Sequence, residues 1–318
     1  RDHGADHACA MHRATVLRDN VAVVIPGILD SEIVRGRDAR ADAVPDLVIE
    51  IPHGATATAD FTSLAERLTS PLPDALVDFF HVNTDAGAPE LGLAAAHRLV
   101  ALAPARTVAV LRCRIPRTFI DCNRRIDAAP EEFKAGKVTP GLMPWITSPE
   151  DRALLRSLYE GYVGAVREAV ARLPADGAML LLHTYAPRSV GVEVDDKIVE
   201  SLHRAYLPDV VETWPLRPEL DVIARDAEGT NHAPVAVVET LRRELAPLTI
   251  ADSATYPLHP STLAWDHVMA RPGRALCLEV RRDLLADPFE PFAQMRIAAV
   301  KVDRLAGPLA TALQQFWA

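Results

Sequence analysis

The sequence predicts an α/β protein with a mostly parallel or mixed central sheet and helices on both faces. Two observations carry this prediction. Short apolar and β-branched runs alternate with longer stretches of helical periodicity. Several of those runs are apolar residue after residue, as strands buried on both faces are. The chain has 318 residues, of which 49% are hydrophobic, enough for a large core without disulfide staples.

The expected strands, in order, are Val21–Ile25, Leu47–Ile51, Thr107–Leu111, Ala178–Leu182 and Ala275–Val280. Helices are expected at Glu90–Leu102, from Ser148 onward, at Val235–Leu245 and at Phe292–Phe316. The Ser148 helix has the clearest start: an N-cap serine, Pro149 at the first helical position, then Glu150 and Asp151. Leu154, Leu155, Leu158, Tyr159, Tyr162, Val163, Val166 and Val170 then keep to one face. Residues 1–20 read as a polar N-terminal arm, with His3, His7 and His12 part of that tail. No linker or repeat divides residues 21–318, which read as one domain.

Composition excludes several classes. Basic residues number 34 and acidic ones 43, a net charge of −9 that disfavours a nucleic-acid partner. No apolar stretch is long enough to span a membrane. Cys9, Cys113, Cys122 and Cys277 are scattered without a Cys-x-x-Cys pair, which favours reduced thiols and a cytoplasmic location. There is no Gly-x-Ser-x-Gly elbow, phosphate loop or dinucleotide fingerprint.

What ends the buried runs points to chemistry. Leu47–Ile51 leads through Pro52 to His53, Ala178–Leu182 to His183, and Ala275–Leu278 to Glu279. Ligands bind beyond the carboxyl ends of parallel strands. Two imidazoles and a carboxylate gathered there suit a catalytic zinc site with an open position for water. Each residue alone also reads as an ordinary hydrogen-bonded or ion-paired side chain; their coincidence carries the reading.

Two further segments are candidates. If Thr118–Cys122 is extended, Arg117, Phe119, Asp121 and Asn123 share one face, and Arg124 joins them if the strand ends near Asn123. An arginine fork with an asparagine amide suits a carboxylate ligand, although the same segment also reads as an exposed basic strand end. Asp85, in Asp85-Ala86-Gly87 before a helix, is either turn chemistry or an oxygen ligand that completes a three-ligand site. His259 and His267 precede the Glu279 strand and read as solvated loop residues near a pocket.

Together these elements resemble the N-formylglutamate amidohydrolase family, relatives of the zinc carboxypeptidases and aspartoacylase-type deacylases. The matching pieces are Pro52-His53-Gly54, Asp85-Ala86-Gly87, the set Arg117, Asp121, Asn123 and Arg124, then His183, and Glu279-Val280-Arg281. The resemblance covers about residues 45–290 and implies a zinc-carboxypeptidase-like fold. It implies one Zn2+, or another divalent metal, on His53, His183 and Asp85, with Asp60 and Asp121 as alternatives for the third ligand. Carboxypeptidase relatives place a glutamate three residues after the first histidine, where this chain has Thr56. The family's second histidine commonly follows Asp-Cys, whereas His183 follows Leu181-Leu182.

The implied reaction is hydrolysis of a small anionic N-acyl amino acid or peptide. Metal-bound water is the nucleophile, Glu279 the general base and acid, and Arg117 the oxyanion donor. Asn123 and Arg124 hold the substrate carboxylate. Alternatives are a carboxypeptidase- or deacylase-type amidase on another acylated amine, or a catalytically retired relative that keeps only ligand binding.

Overall fold

The structure, a computed structural model, describes residues 24–318. The expected N-terminal arm, its three histidines and Cys9 lie outside the described residues, as do residues 21–23 of the first expected strand. Eight strands form one sheet: β1 (Val24–Ile25), β2 (Leu29–Arg35), β3 (Leu47–Ile51), β4 (Thr107–Cys113), β5 (Ala178–Tyr185), β6 (Leu220–Val222), β7 (Ile250–Asp252) and β8 (Ala275–Arg281). Their order is β1-β2-β4-β3-β5-β8-β6-β7. The four central strands β4, β3, β5 and β8 are mutually parallel. β2 and β6 run antiparallel to their central neighbours, so the sheet is mixed.

All residues of β3 and β5 are buried, as a parallel sheet covered on both faces requires. Helices Ala88–Leu102, Val235–Glu244 and Ala299–Gln314 pack their apolar residues against Ile49, Leu180 and Leu278 on one face. Helices Thr58–Ala65, Leu76–Asn83, Pro149–Ala171 and Leu263–Ala270 cover the other, against Val48, Met179 and Cys277. The Ser148 hydroxyl accepts from Asp151 N at 3.3 Å, the N-cap expected from the sequence. Asp151 in turn accepts from the backbone N–H groups of Thr69 and Ser70, at 3.0 and 2.7 Å, tying this helix to the preceding loop.

Several expectations are corrected. β5 runs past Leu182, so His183 lies within a strand instead of beyond one, and it pairs in register with Glu279, which lies inside β8 as it did inside the expected strand. Thr118–Cys122 is not a strand. It is a pair of turns closed by Phe119 N to Pro116 O at 3.1 Å and Arg124 N to Asp121 O at 3.2 Å. Thr118 through Cys122 are all buried, so the residues do not divide into one inward and one outward face. The last helix begins at Ala299, not Phe292. Residues 286–298 instead fold back on themselves, with Asp287 N donating to Arg296 O and Ala298 N to Leu285 O, and those bonds occupy the backbone groups a helix would need.

No helix among the described residues is long and apolar enough to cross a membrane. Cys113, Cys122 and Cys277 are buried free thiols.

Candidate metal centre

His53, Asp85 and His183 converge at the carboxyl edge of the parallel strands, each under 5% exposed. His53 lies just past β3, where the turn Gly54 N to Ile51 O swings the chain away from the sheet. A side chain at Gly54 would collide with Arg112, so the glycine of the Pro-His-Gly element is a packing requirement. His183 lies on the same face of β5 as Met179 and Leu181. Asp85 comes from the loop before helix Ala88–Leu102, and its N–H donates to His53 O at 3.3 Å. The Thr184 hydroxyl donates to Ala86 O at 3.0 Å, which fastens this loop to the end of β5.

The donor atoms form a near-equilateral triangle. Asp85 Oδ2 is 3.2 Å from His53 Nδ1 and 3.0 Å from His183 Nδ1, and the two Nδ1 atoms are 3.3 Å apart. Zinc–ligand bonds of about 2.0–2.1 Å in tetrahedral geometry put neighbouring donors about 3.3 Å apart. The three atoms therefore fit three vertices of a zinc tetrahedron, with the fourth left for water or substrate. Burial would raise the Asp85 carboxyl, but His53 and His183 outweigh it and hold the group below the usual carboxylate range.

Asp121 completes His53. Its Oδ1 lies 2.8 Å from His53 Nε2, the ring nitrogen away from the cluster. A proton on Nε2 leaves the Nδ1 lone pair for a metal, the carboxylate–histidine arrangement that orients a ligating imidazole. Arg117 Nη2 donates to Asp121 Oδ2 at 2.8 Å, Arg124 Nη2 lies 3.3 Å from the same oxygen, and Asn123 N donates to Oδ1 at 2.9 Å. Burial would push the Asp121 carboxyl up, but Arg124, His53 and Arg117 keep it well below its ordinary value. Of the two alternative ligands, Asp121 thus stands behind His53. Asp60 is bound to Arg114 and caps Ala57 N. Thr56 accepts from Arg112 at 3.3 Å and is not in the cluster.

Glu279 sits across from His183 in the β5–β8 register and lines the cavity of about 230 Å³ that opens on His53 and His183. Its Oε2 is buried without a hydrogen-bond partner. Burial pushes its carboxyl up to about 7, against the pull of His183. A carboxyl with that affinity for protons, free on one oxygen and facing a cavity, suits proton transfer near neutrality.

Arg117, Asn123 and Arg124 also line this cavity. Asn123 Oδ1 accepts from Ala264 N at 3.1 Å, and its Nδ2 is 3.5 Å from His183 Nε2. Every Arg124 nitrogen is engaged inside the protein, by Thr139 O, Asn123 O and Asp121. Arg281 is bound to Asp283 and Arg217 O, whereas its neighbour Arg282 lines the cavity. His259 is bonded to Ser261 and His267 lies 3.8 Å from Glu50; neither lines the cavity, although Tyr256 and Leu258 do. The orienting role of Asp121 and the cavity positions of Arg217 and Arg282 have no local sequence signature, because each depends on contacts between distant segments.

Fold and site together define a mixed α/β protein with a buried group able to hold a metal ion at the carboxyl edge of its parallel strands. Residues 45–286 match the family model of N-formylglutamate amidohydrolase, and the chain belongs to that family. Comparison with curated proteins gives no match. Among solved structures, the chain is similar to a gene product from Agrobacterium tumefaciens at TM-score 0.51 and 18% identity, covering 91% of this chain and 94% of that one. It is also similar to N-formylglutamate amidohydrolase from Ralstonia eutropha JMP134, at TM-score 0.49 and 18% identity, covering 90% and 98%. At this identity the likeness to the Agrobacterium protein bears on the fold alone.

Proposed function

We propose that this protein is a zinc-dependent amidohydrolase that cleaves the amide of a small anionic N-acyl amino acid of the N-formylglutamate type. The observation that carries the proposal is the triangle of three buried donor atoms, spaced as a zinc ion would space them. His53, Asp85 and His183 would hold the ion, and Asp121 fixes the His53 ring. Bound zinc supplies a Lewis acid for the amide carbonyl and lowers the pKa of water to about 7.

Glu279 takes a proton from the attacking water and returns it to the amine as the carbon–nitrogen bond breaks, leaving a carboxylate and a free amine. Its raised proton affinity suits both transfers. Arg117, anchored on Asp121, has a buried Nε without a partner and stabilises the oxyanion. Such a donor lowers the barrier by about 3–4 kcal/mol. Arg124 serves first to hold Asp121, and Asn123 holds the Ala264 backbone through its Oδ1.

The test is formate release from N-formyl-L-glutamate by zinc-loaded protein, with N-acetyl and N-succinyl amino acids alongside. Glu279→Gln is expected to lower kcat at least about 100-fold with metal content unchanged. Full activity in that variant would remove Glu279 from the mechanism. No hydrolysis of any of these substrates by the loaded wild type would overturn the function.

A further inference from the structure

Three arginines of the cavity lining have no part in the mechanism: Arg188, which is paired with Glu212, and Arg217 and Arg282. Arg282, just past β8, is 3% exposed. Its Nη1 donates to Val82 O at 2.6 Å and its Nη2 to Thr184 O at 3.3 Å, while its Nε is buried without a partner. Arg217 lies between two aromatic rings, 5.0 Å from the Tyr185 centroid and 5.6 Å from that of Tyr256. Its hydrogen bonds go to Ser189 Oγ, Ala186 O and the Tyr256 hydroxyl. All of these partners are neutral. Among the described residues, neither arginine has a carboxylate partner.

Neutral acceptors fix a guanidinium in place without cancelling its charge. Burying an unpaired charge is costly unless a counter-ion completes the site. Burial weakens the hold of Arg282 on its proton more than the more distant Asp85 carboxylate strengthens it, and Arg217 adds repulsion. Arg124 differs, because Asp121 already neutralises it and all its nitrogens are engaged. Among the cavity's arginines, the charge left without a carboxylate partner therefore lies on the Arg217–Arg282 side.

We infer that Arg217 and Arg282 form the subsite that binds a carboxylate of the ligand, and that Asn123 and Arg124 do not. A planar carboxylate can meet guanidinium forks with paired, charge-assisted hydrogen bonds. The subsite shares its cavity with Glu279 and the two histidines, so a ligand held there lies in the same cavity as the candidate metal. The inference deepens the proposed function by naming the groups that select an anionic substrate.

The test is calorimetric binding of N-methanesulfonyl-L-glutamate, whose sulfonamide is not hydrolysed, and of its uncharged diamide to the zinc-loaded protein. Wild type is expected to bind the dicarboxylate at least about tenfold more tightly than the diamide. Arg217→Met and Arg282→Met should each lose about tenfold or more for the dicarboxylate and little for the diamide. Arg217 is only partly buried, so its variant keeps the test decisive if the buried Arg282→Met fails to fold.

Unchanged dicarboxylate affinity in the folded Arg217→Met protein, or equal wild-type affinity for both probes, would overturn the subsite. Binding does not depend on turnover. Selective binding that the arginine variants lose, in a protein that hydrolyses none of the N-acyl substrates, would uphold the subsite and reject the proposed function.

Discussion

Glu279, half-buried with one oxygen out of solvent, and the fully buried Asp121 are carboxylates whose surroundings drive them in opposite directions. Glu279 has a free oxygen, and burial raises it to about 7. A base must be deprotonated to act, so kcat/KM should fall as the pH drops through about 7; a profile flat from pH 8 to 5 would contradict the assignment. Asp121 has His53, Arg117 and Arg124 around it and remains ionised. Asp121→Asn keeps the shape but loses the charge that orients His53 and compensates the arginines. Zinc affinity should fall about 10–100-fold in a chelator-competition titration. His53, His183 and Glu279 were legible as candidates because each follows an apolar run, and Asp85 because it precedes a helix; the structure gathers His53, Asp85 and His183. The sequence leaves Asp121 among the possible ligands, because which nitrogen of His53 it faces depends on a fold-back 68 residues along the chain.

At the scale of elements, the core strands and long helices were legible because their apolar patterns are long and their boundaries chemically marked. β2 was not legible: Asp30, Ser31 and Glu32 interrupt its apolar pattern. β6 and β7, at three residues each, are too short to show a period. The segment from Arg117 to Arg124 reads as extended only if Arg117, Phe119, Asp121 and Asn123 share a face, and the turn hydrogen bonds that replace a strand there have no such alternating signature. Gly87 shows what a short motif can demand. Its φ of +91° suits glycine, and a Cβ there would meet the Leu285 side chain at 2.7 Å. Gly87→Ala should therefore destabilise by more than about 1 kcal/mol and shift the Asp85 loop, read as a lower Tm together with weaker zinc binding.

Across the whole molecule, the candidate centre couples metal binding, pH and stability. Asp85 and Asp121 have folded-state pKa values below their ordinary range. Their stabilising contribution is complete above the unfolded carboxylate value of about 3.9 and is lost as the pH falls below it. Acid unfolding should begin near pH 4 and be blunted in Asp121→Asn, measured by circular dichroism. A metal that binds only the folded chain adds about 2.7 kcal/mol when free ion is at 100 times its Kd, so chelation should lower Tm.

The most direct test of the centre combines elemental analysis with N-formyl-L-glutamate hydrolysis on wild type, His53→Ala and His183→Ala. The wild type should carry one divalent metal per chain, lose it and its activity to a chelator, and recover both with zinc. The two variants should bind no metal at that stoichiometry and release no formate. Full hydrolysis by chelated wild type, or an undiminished metal content in both variants, would contradict a zinc centre on His53, Asp85 and His183.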